Sequence, residues 1–172
     1  MDCLIVIDFQ EKLIRHIENA NDILKNSVKL IEAFKIFGIP IILTEQEKLG
    51  KTVKEIRDVI EVKPIKKKSF SCLKCDDFYR EFKRISPRKV TLIGIETHIC
   101  VLQTAIDLIK DGCNVYVATD CTGSRKSVDR ETAILRMMQE GVKLSTAESM
   151  IYEIMKTAEF KRFKDILNII KR

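Results

Sequence analysis

The feature that most constrains this chain is a regular alternation of short apolar runs, rich in β-branched residues, with longer segments of helical periodicity. The runs predict six strands, over residues 3–7, 40–43, 62–65, 90–93, 114–118 and 143–145. The periodic segments predict helices over residues 23–37, 53–60, 78–85, 98–110, 130–140, 148–155 and 160–171. Gly38, Gly112 and Gly141 each follow a predicted helix, where a left-handed residue ends it. Apolar strands that alternate with helices predict a parallel sheet covered on both faces, an α/β fold of three αβα layers.

Length and composition narrow the class of protein. The 172 residues fit one domain over 1–172, and a 45% hydrophobic content is sufficient for a sizeable core. The net charge is +6, but acidic residues are interspersed with the basic ones, so we expect solvated helix faces and no nucleic-acid partner. No apolar run approaches the roughly 20 residues that span a membrane, and no signal peptide is recognisable. We therefore expect a cytoplasmic protein, without a membrane partner, whose six cysteines are mostly reduced.

Reactive side chains stand at the ends of three predicted strands. Ligands of open α/β sheets bind outside the carboxyl ends of the strands, so these positions are the candidates for a site. Asp8 ends the first strand, Lys67 follows the third, and Cys100 lies in the first turn of the helix after the fourth. Each has an ordinary alternative: a turn-forming acid, a solvated basic run and a small buried thiol. At a helix N-terminus, however, a cysteine is expected to have a lowered pKa and unpaired backbone N–H groups beside it.

The segments around these three residues together resemble the isochorismatase-like cysteine hydrolases, a family that includes nicotinamidases and N-carbamoyl amide hydrolases. The resemblance covers nearly the whole chain and rests on an ordered set of segments: VIDFQ at 6–10, LTEQ at 43–46, KKSFS at 67–71, GIETHICVLQTA at 94–105, TD at 119–120, SR at 124–125 and AES at 147–149. It implies a six-stranded parallel sheet of Rossmann-like order. In that order the first and fourth strands flank the switch point, which would bring Asp8 and Cys100 together.

The resemblance also implies a role for each residue. Cys100 would be the nucleophile, and Asp8 would take its proton and return it to the leaving amine. Lys67 would favour the thiolate and hold Asp8. A cis peptide bond at Ile95–Glu96 would turn the N–H groups of Glu96 and Cys100 toward one oxyanion. The reaction implied is cleavage of a C–N bond in a small amide or carbamoyl compound through a thioester.

The choice of Lys67 among three consecutive lysines rests on register. In the family pattern the lysine stands three residues before an aromatic residue that is followed by Ser, and Phe70-Ser71 then selects Lys67. Successive side chains of a strand point to opposite faces, so Lys67 and Lys68 would not both face the site. Lys68 is the less favoured choice, although a slip in the alternation would change this.

Further residues are candidates for substrate binding, whereas the residues after the second strand lack the metal ligands of nicotinamidases. The binding candidates are Gln10, Gln46, Phe70, Ile95 and Thr97. Nicotinamidases have Asp and His metal ligands after the second strand, whereas this chain has TEQE at 44–47. Its two histidines are His16, expected on an exposed helix, and His98, expected to face solvent or a partner subunit. We therefore predict no metal and no cofactor.

Two other functions stay open at this stage. The chain could be a non-catalytic oligomeric scaffold of the same fold, or a peroxide-responsive thiol protein with Cys72 or Cys75 as the resolving partner of Cys100. The Cys72–Cys75 spacing itself has neither the redox nor the zinc context and is expected to be an incidental pair on a helix face. The expected partners are a small-molecule substrate and further copies of the chain in a homo-oligomer.

Overall fold

The computed structural model describes residues 2–172 and has a single sheet of six parallel strands in the order β3-β2-β1-β4-β5-β6. The strands are β1 (Cys3–Ile7), β2 (Ile41–Gln46), β3 (Ile65–Lys67), β4 (Lys89–Ile95), β5 (Asn114–Gly123) and β6 (Lys143–Ser145). The chain winds outward from β1 to β3 and then returns to the other side of β1 to wind from β4 to β6. The predicted fold class and strand order are confirmed, and the switch point lies between β1 and β4.

Eight α-helices cover the sheet among the described residues. They are α1 (Glu11–Ile14), α2 (Ala20–Ile36), α3 (Lys54–Arg57), α4 (Asp76–Ile85), α5 (Leu102–Lys110), α6 (Ser127–Gln139), α7 (Ala147–Met155) and α8 (Phe163–Ile170). A 3₁₀ turn at Cys72–Lys74 precedes α4, and a π-helical turn at Thr97–Val101 precedes α5. None of the helices within residues 2–172 combines the length and the apolar character that crossing a membrane requires.

The core consists of one apolar cluster on each face of the sheet. Side chains alternate along a strand, so in β1 Leu4 and Val6 pack with α2, α7 and α8 while Ile5 and Ile7 pack with α4, α5 and α6. Every residue of β1 is fully buried. This central strand therefore reads as a continuous hydrophobic run, as expected for a parallel sheet with both faces covered.

Gly94 allows β4 to lie close to the end of β1. A Cβ atom at this position would come within 2.3 Å of the Ile7 carbonyl oxygen, and the residue has a φ of +144°. Both the space and the backbone conformation require glycine here. The close approach lies one residue before Asp8, so it sets the distance between the strand ends that form the site.

Several predicted boundaries are wrong. The third strand is Ile65–Lys67 rather than 62–65, because Pro64 has no N–H to donate to a ladder and Val62 is half exposed. β5 continues five residues beyond its predicted end, to Gly123. The helix predicted over 98–110 is divided into the π-helical turn and α5, and the helix predicted over 53–60 is the single turn α3. His16 is exposed as expected but lies in a turn after α1 rather than in a helix.

Candidate active site at the switch point

Three side chains from separate parts of the chain meet at the carboxyl edge of the sheet. Asp8 directly follows β1, Lys67 is the last residue of β3, and Cys100 lies in the π-helical turn after β4. Lys67 Nζ is 2.7 Å from Asp8 Oδ2 and 3.6 Å from Cys100 Sγ. Within β3 Lys66 is exposed and Lys67 is buried, and Lys68, which follows the strand, is exposed again. Of the three lysines, Lys67 is the one whose side chain contacts Asp8 and Cys100.

The Lys67 ammonium is surrounded by acceptors. Besides Asp8 it donates to Gln46 Oε1 at 2.8 Å and approaches the carbonyl oxygens of Ser69 and Phe70 at 3.2 and 3.4 Å. Burial is the largest single effect and disfavours the ammonium, but the charge of Asp8, the charge interactions with Cys72 and Cys100 and the hydrogen bond to Asp8 together outweigh it, so the pKa of Lys67 is raised. The side chain is therefore a fixed positive charge between the carboxylate and the thiol.

Asp8 is held at both oxygens of its carboxylate. Oδ2 accepts from Lys67, and Oδ1 accepts from the hydroxyl of Thr44 at 2.8 Å. Its backbone has a φ of 52°, a left-handed conformation that Asp adopts more readily than most residues. Thr44 was not among the predicted site residues, although its place in the strand next to β1, paired with Ile7, was a signal for it.

The pKa of the Cys100 thiol differs from the value expected at a helix N-terminus. Burial raises the pKa of its thiol to about 12, the Asp8 carboxylate acts in the same direction, and Lys67 opposes them only in part. The prediction of a lowered pKa at the helix start is therefore wrong, because the thiol is 6% exposed and contacts a carboxylate. The raised pKa favours the protonated form of the thiol beside the Asp8 carboxylate.

The turn that carries Cys100 begins at a cis peptide bond between Ile95 and Glu96, at the position that the resemblance implied. The Glu96 carbonyl oxygen accepts from the N–H groups of Ile99 and Val101, on either side of Cys100. The Glu96 carboxylate is buried and accepts from Arg125 through both Nε, at 2.9 Å, and the backbone N–H, at 3.2 Å. This ion pair ties the turn to the end of β5.

Gln10 and Gln46, both predicted to bind substrate, make hydrogen bonds within the protein. The Gln10 side chain is fully buried, donates to the carbonyls of Gln46 and Gly50 at 2.9 and 2.7 Å, and accepts from the Gln46 N–H at 2.8 Å. It therefore fastens the loop after β2. Gln46 uses its amide oxygen for Lys67 and its amide nitrogen for the Lys68 carbonyl.

The other predicted binding residues differ in burial. Phe70 is 53% exposed, whereas Ile95 and Thr97 are fully buried. The Thr97 hydroxyl has no hydrogen-bond partner within the described part of the chain. His98 is partly exposed, with Nδ1 2.9 Å from Ser124 Oγ and Nε2 4.0 Å from Asp129.

Cys72 and Cys75 lie in different surroundings. Cys72 lies in the 3₁₀ turn, fully buried, and its charge interaction with Lys67 and Cys100 places it near the site. Cys75, half-buried, precedes α4 with its thiol 3.6 Å from the Lys66 carbonyl. The expectation that the two share a helix face is wrong. Across residues 2–172, no three His, Cys, Asp or Glu side chains are grouped so as to hold a metal ion.

Known proteins match most of this chain. A family model described as "Isochorismatase domain" matches residues 2–149. The chain is 37% identical over 171 residues to isochorismatase domain-containing protein 2A of Mus musculus, covering 98% of this chain and 82% of that protein. It is 35% identical over 167 residues to isochorismatase domain-containing protein 1 of Danio rerio, covering 95% of this chain but only 59% of that protein's length.

A solved structure is similar over the whole chain. The structure described as MAR1 ribonuclease from Caenorhabditis elegans has a TM-score of 0.92 and 36% identity, with 99% of this chain and 90% of that chain covered. The similarity therefore extends through the six strands and their covering helices, including the turns that carry Asp8, Lys67 and Cys100.

Proposed function

The chain belongs to the isochorismatase family, a family of hydrolases, and from that premise we propose that it is a metal-independent cysteine hydrolase of a small amide or carbamoyl compound. The observation that carries the proposal is the contact of the Lys67 ammonium with both Asp8 and Cys100 at the switch point. A nucleophile, a base and a fixed charge within hydrogen-bond reach are the elements that covalent acyl transfer requires.

In the proposed acylation step the protonated thiol of Cys100 transfers its proton to Asp8 as sulfur attacks the substrate carbonyl carbon. Since the raised thiol pKa disfavours a free thiolate, proton transfer accompanies attack rather than preceding it. Lys67 keeps one positive charge beside the reacting groups throughout. The N–H groups of Glu96 and Cys100 would bind the tetrahedral oxyanion.

Collapse of the adduct breaks the C–N bond. The proton on Asp8 passes to the departing nitrogen, which leaves as ammonia or an amine, and the acyl group remains on sulfur as a thioester. Asp8, again ionised, then takes a proton from water as the water attacks the thioester. The carboxylic or carbamic acid leaves, and the proton returns to Cys100, so the site regains its initial state.

The burial of the site supports a small substrate. The side chains of Asp8 and Lys67 have no exposed surface, and Cys100 is 6% exposed. The ribonuclease name of the nematode relative makes RNA the obvious competing substrate. A polynucleotide strand would have to reach three groups that solvent scarcely reaches, so we favour an amide of a few heavy atoms and keep RNA as one outcome of the test.

The test is a screen of small primary amides and carbamoyl compounds against the purified chain, with ammonia release as the readout and an RNA oligonucleotide as a separate substrate. For any compound turned over, Cys100→Ser is expected to lower the rate at least about a thousandfold. Cys113→Ser is the matched control, because Cys113 lies half-buried at the opposite end of β5. Undiminished turnover by Cys100→Ser, or cleavage of RNA alone, would overturn the proposal.

Three further properties of the chain are also proposals. We propose that residues 1–172 form one domain, that the chain acts in the cytoplasm, and that it assembles as a homo-oligomer. Sedimentation velocity of the purified chain tests the last of these, and a species of monomer mass at micromolar concentration would contradict it.

A further inference from the structure

Thr44 contacts the Asp8 carboxylate and takes no part in the proton transfers of the proposed mechanism. It lies in β2, in register with the last residue of β1, and is fully buried. Its hydroxyl donates to Asp8 Oδ1 at 2.8 Å. An ionised carboxylate only accepts, so the hydroxyl proton points at Asp8. Together with Lys67 on Oδ2, this bond fixes the carboxylate in its plane and leaves it a single orientation toward the thiol.

We propose that Thr44 is a positioning residue whose hydroxyl orients Asp8 and sets how strongly Asp8 competes with Cys100 for their shared proton. The inference rests on the proposed function, because it assigns a role within that site. A hydrogen bond to a charged acceptor stabilises the charged form. Without it the Asp8 carboxylate is less satisfied and holds a proton better, so the proton moves from sulfur toward carboxylate.

Other groups that face Asp8 also influence where the shared proton lies. Lys67 supplies the positive charge from β3, and Cys100 supplies the proton from the π-helical turn. Cys72 faces the same carboxylate from the 3₁₀ turn and also contacts the Thr44 hydroxyl. Burial raises the pKa of the Cys72 thiol to about 12, so Cys72 stays neutral and contributes no competing charge at neutral pH.

The experiment measures alkylation of Cys100 by iodoacetamide at pH 7, identified by peptide mass spectrometry, and therefore needs no substrate. Thr44→Val keeps the shape of the side chain and removes the donor. It is expected to raise the alkylation rate about tenfold, the effect of moving the proton equilibrium by one pKa unit. Thr44→Ser restores the donor and should return the alkylation rate to the wild-type value.

Thr91→Val is the matched control for the substitution itself. Thr91 is a fully buried strand residue of β4, and its hydroxyl has no hydrogen-bond partner among the described residues. The same chemical change there is expected to leave alkylation unaltered. If Thr44→Val fails to fold, Thr44→Ala removes the hydroxyl with a smaller side chain and carries the same expectation.

The outcomes separate this inference from the proposed function. Asp8→Asn abolishes the competing carboxylate and is the positive control. If Asp8→Asn raises alkylation while Thr44→Val leaves it at the wild-type rate, the role of Thr44 is overturned and the triad stands. If neither variant changes alkylation of Cys100, the coupling between Asp8 and Cys100 is absent and the proposed function fails with it.

Discussion

Lys67 and Asp8 form an ion pair in which Nζ and Oδ2 are 2.7 Å apart and neither side chain has any exposed surface. Removing two charges from water is costly, and the mutual attraction offsets this only when further hydrogen bonds satisfy both groups. Here Gln46 and a backbone carbonyl group accept hydrogen bonds from Lys67, and Thr44 donates one to Asp8. The two opposite charges of this buried pair therefore compensate each other, and the Cys100 thiol beside them carries a proton that can be transferred.

Asp8→Asn is expected to change reactivity and turnover in opposite directions. Burial raises the pKa of Cys100 most, the Asp8 carboxylate raises it further and Lys67 lowers it, so removing the carboxylate lowers this pKa although burial still opposes the thiolate. Iodoacetamide alkylation at pH 7 should accelerate about tenfold or more. Amide turnover should fall about a hundredfold or more, because the leaving nitrogen loses its proton donor. A parallel fall of both rates would contradict this division of roles.

Lys67→Met is expected to lower the free energy of unfolding by about 3–5 kcal/mol, because it leaves the Asp8 carboxylate buried without its countercharge. Lys68→Met is the matched control: Lys68 is the next residue and is exposed, so its loss should change stability by less than about 0.5 kcal/mol. Urea unfolding at pH 7 measures both. Equal effects of the two substitutions would show that the burial of Lys67 carries no energetic consequence.

Gln10→Ala is expected to release the loop that follows β2. The substitution removes three hydrogen bonds to the backbone of Gln46 and Gly50, and the free energy of unfolding should fall by about 2–3 kcal/mol. Hydrogen exchange of the Gln46 amide should accelerate, since its acceptor is lost. Gln139→Ala, at the exposed end of α6, is the control and should change neither readout. Unchanged protection of Gln46 would contradict the fastening role.

Alkaline pH is expected to destabilise the fold through its buried thiols. Burial raises the pKa of Cys3, Cys72 and Cys100 from 9.0 to about 12, and that of Cys121 well above 9.0. Above pH 9 these thiols ionise in the unfolded chain but stay protonated in the native one. The unfolded state then binds fewer protons, so stability falls as pH rises, by about 1.4 kcal/mol per pH unit for each thiol.

Urea unfolding between pH 8 and about pH 11, under reducing conditions, measures this slope. Cys3→Ala should remove one of the four contributions without touching the site, because Cys3 lies at the start of β1. Stability that is constant across this range would contradict the burial of the thiols in the native state.

Much of the fold was predictable because its signals are local. The apolar strands of β1, β2 and β4 and the glycines after helices are properties of short segments, and they were located within a few residues of their observed bounds. β3 was misplaced because it is a three-residue edge strand that pairs on one side only, with β2. So short a segment has little sequence pattern of its own, and its neighbour decides which residues pair.

Asp8, Lys67 and Cys100 were predicted as site residues from their places near strand ends together with the family resemblance, which selected Lys67 among three lysines. Parallel strands bring such positions to one edge of the sheet. The protonation of Cys100, the donor role of Thr44 and the backbone contacts of Gln10 were decided only by the tertiary structure. These properties depend on distances of about 3 Å between residues 36 or more positions apart, and on the burial that removes water from around them. A pattern along the chain determines which residues reach the edge of the sheet, whereas the charge that each one carries there depends on what packs against it.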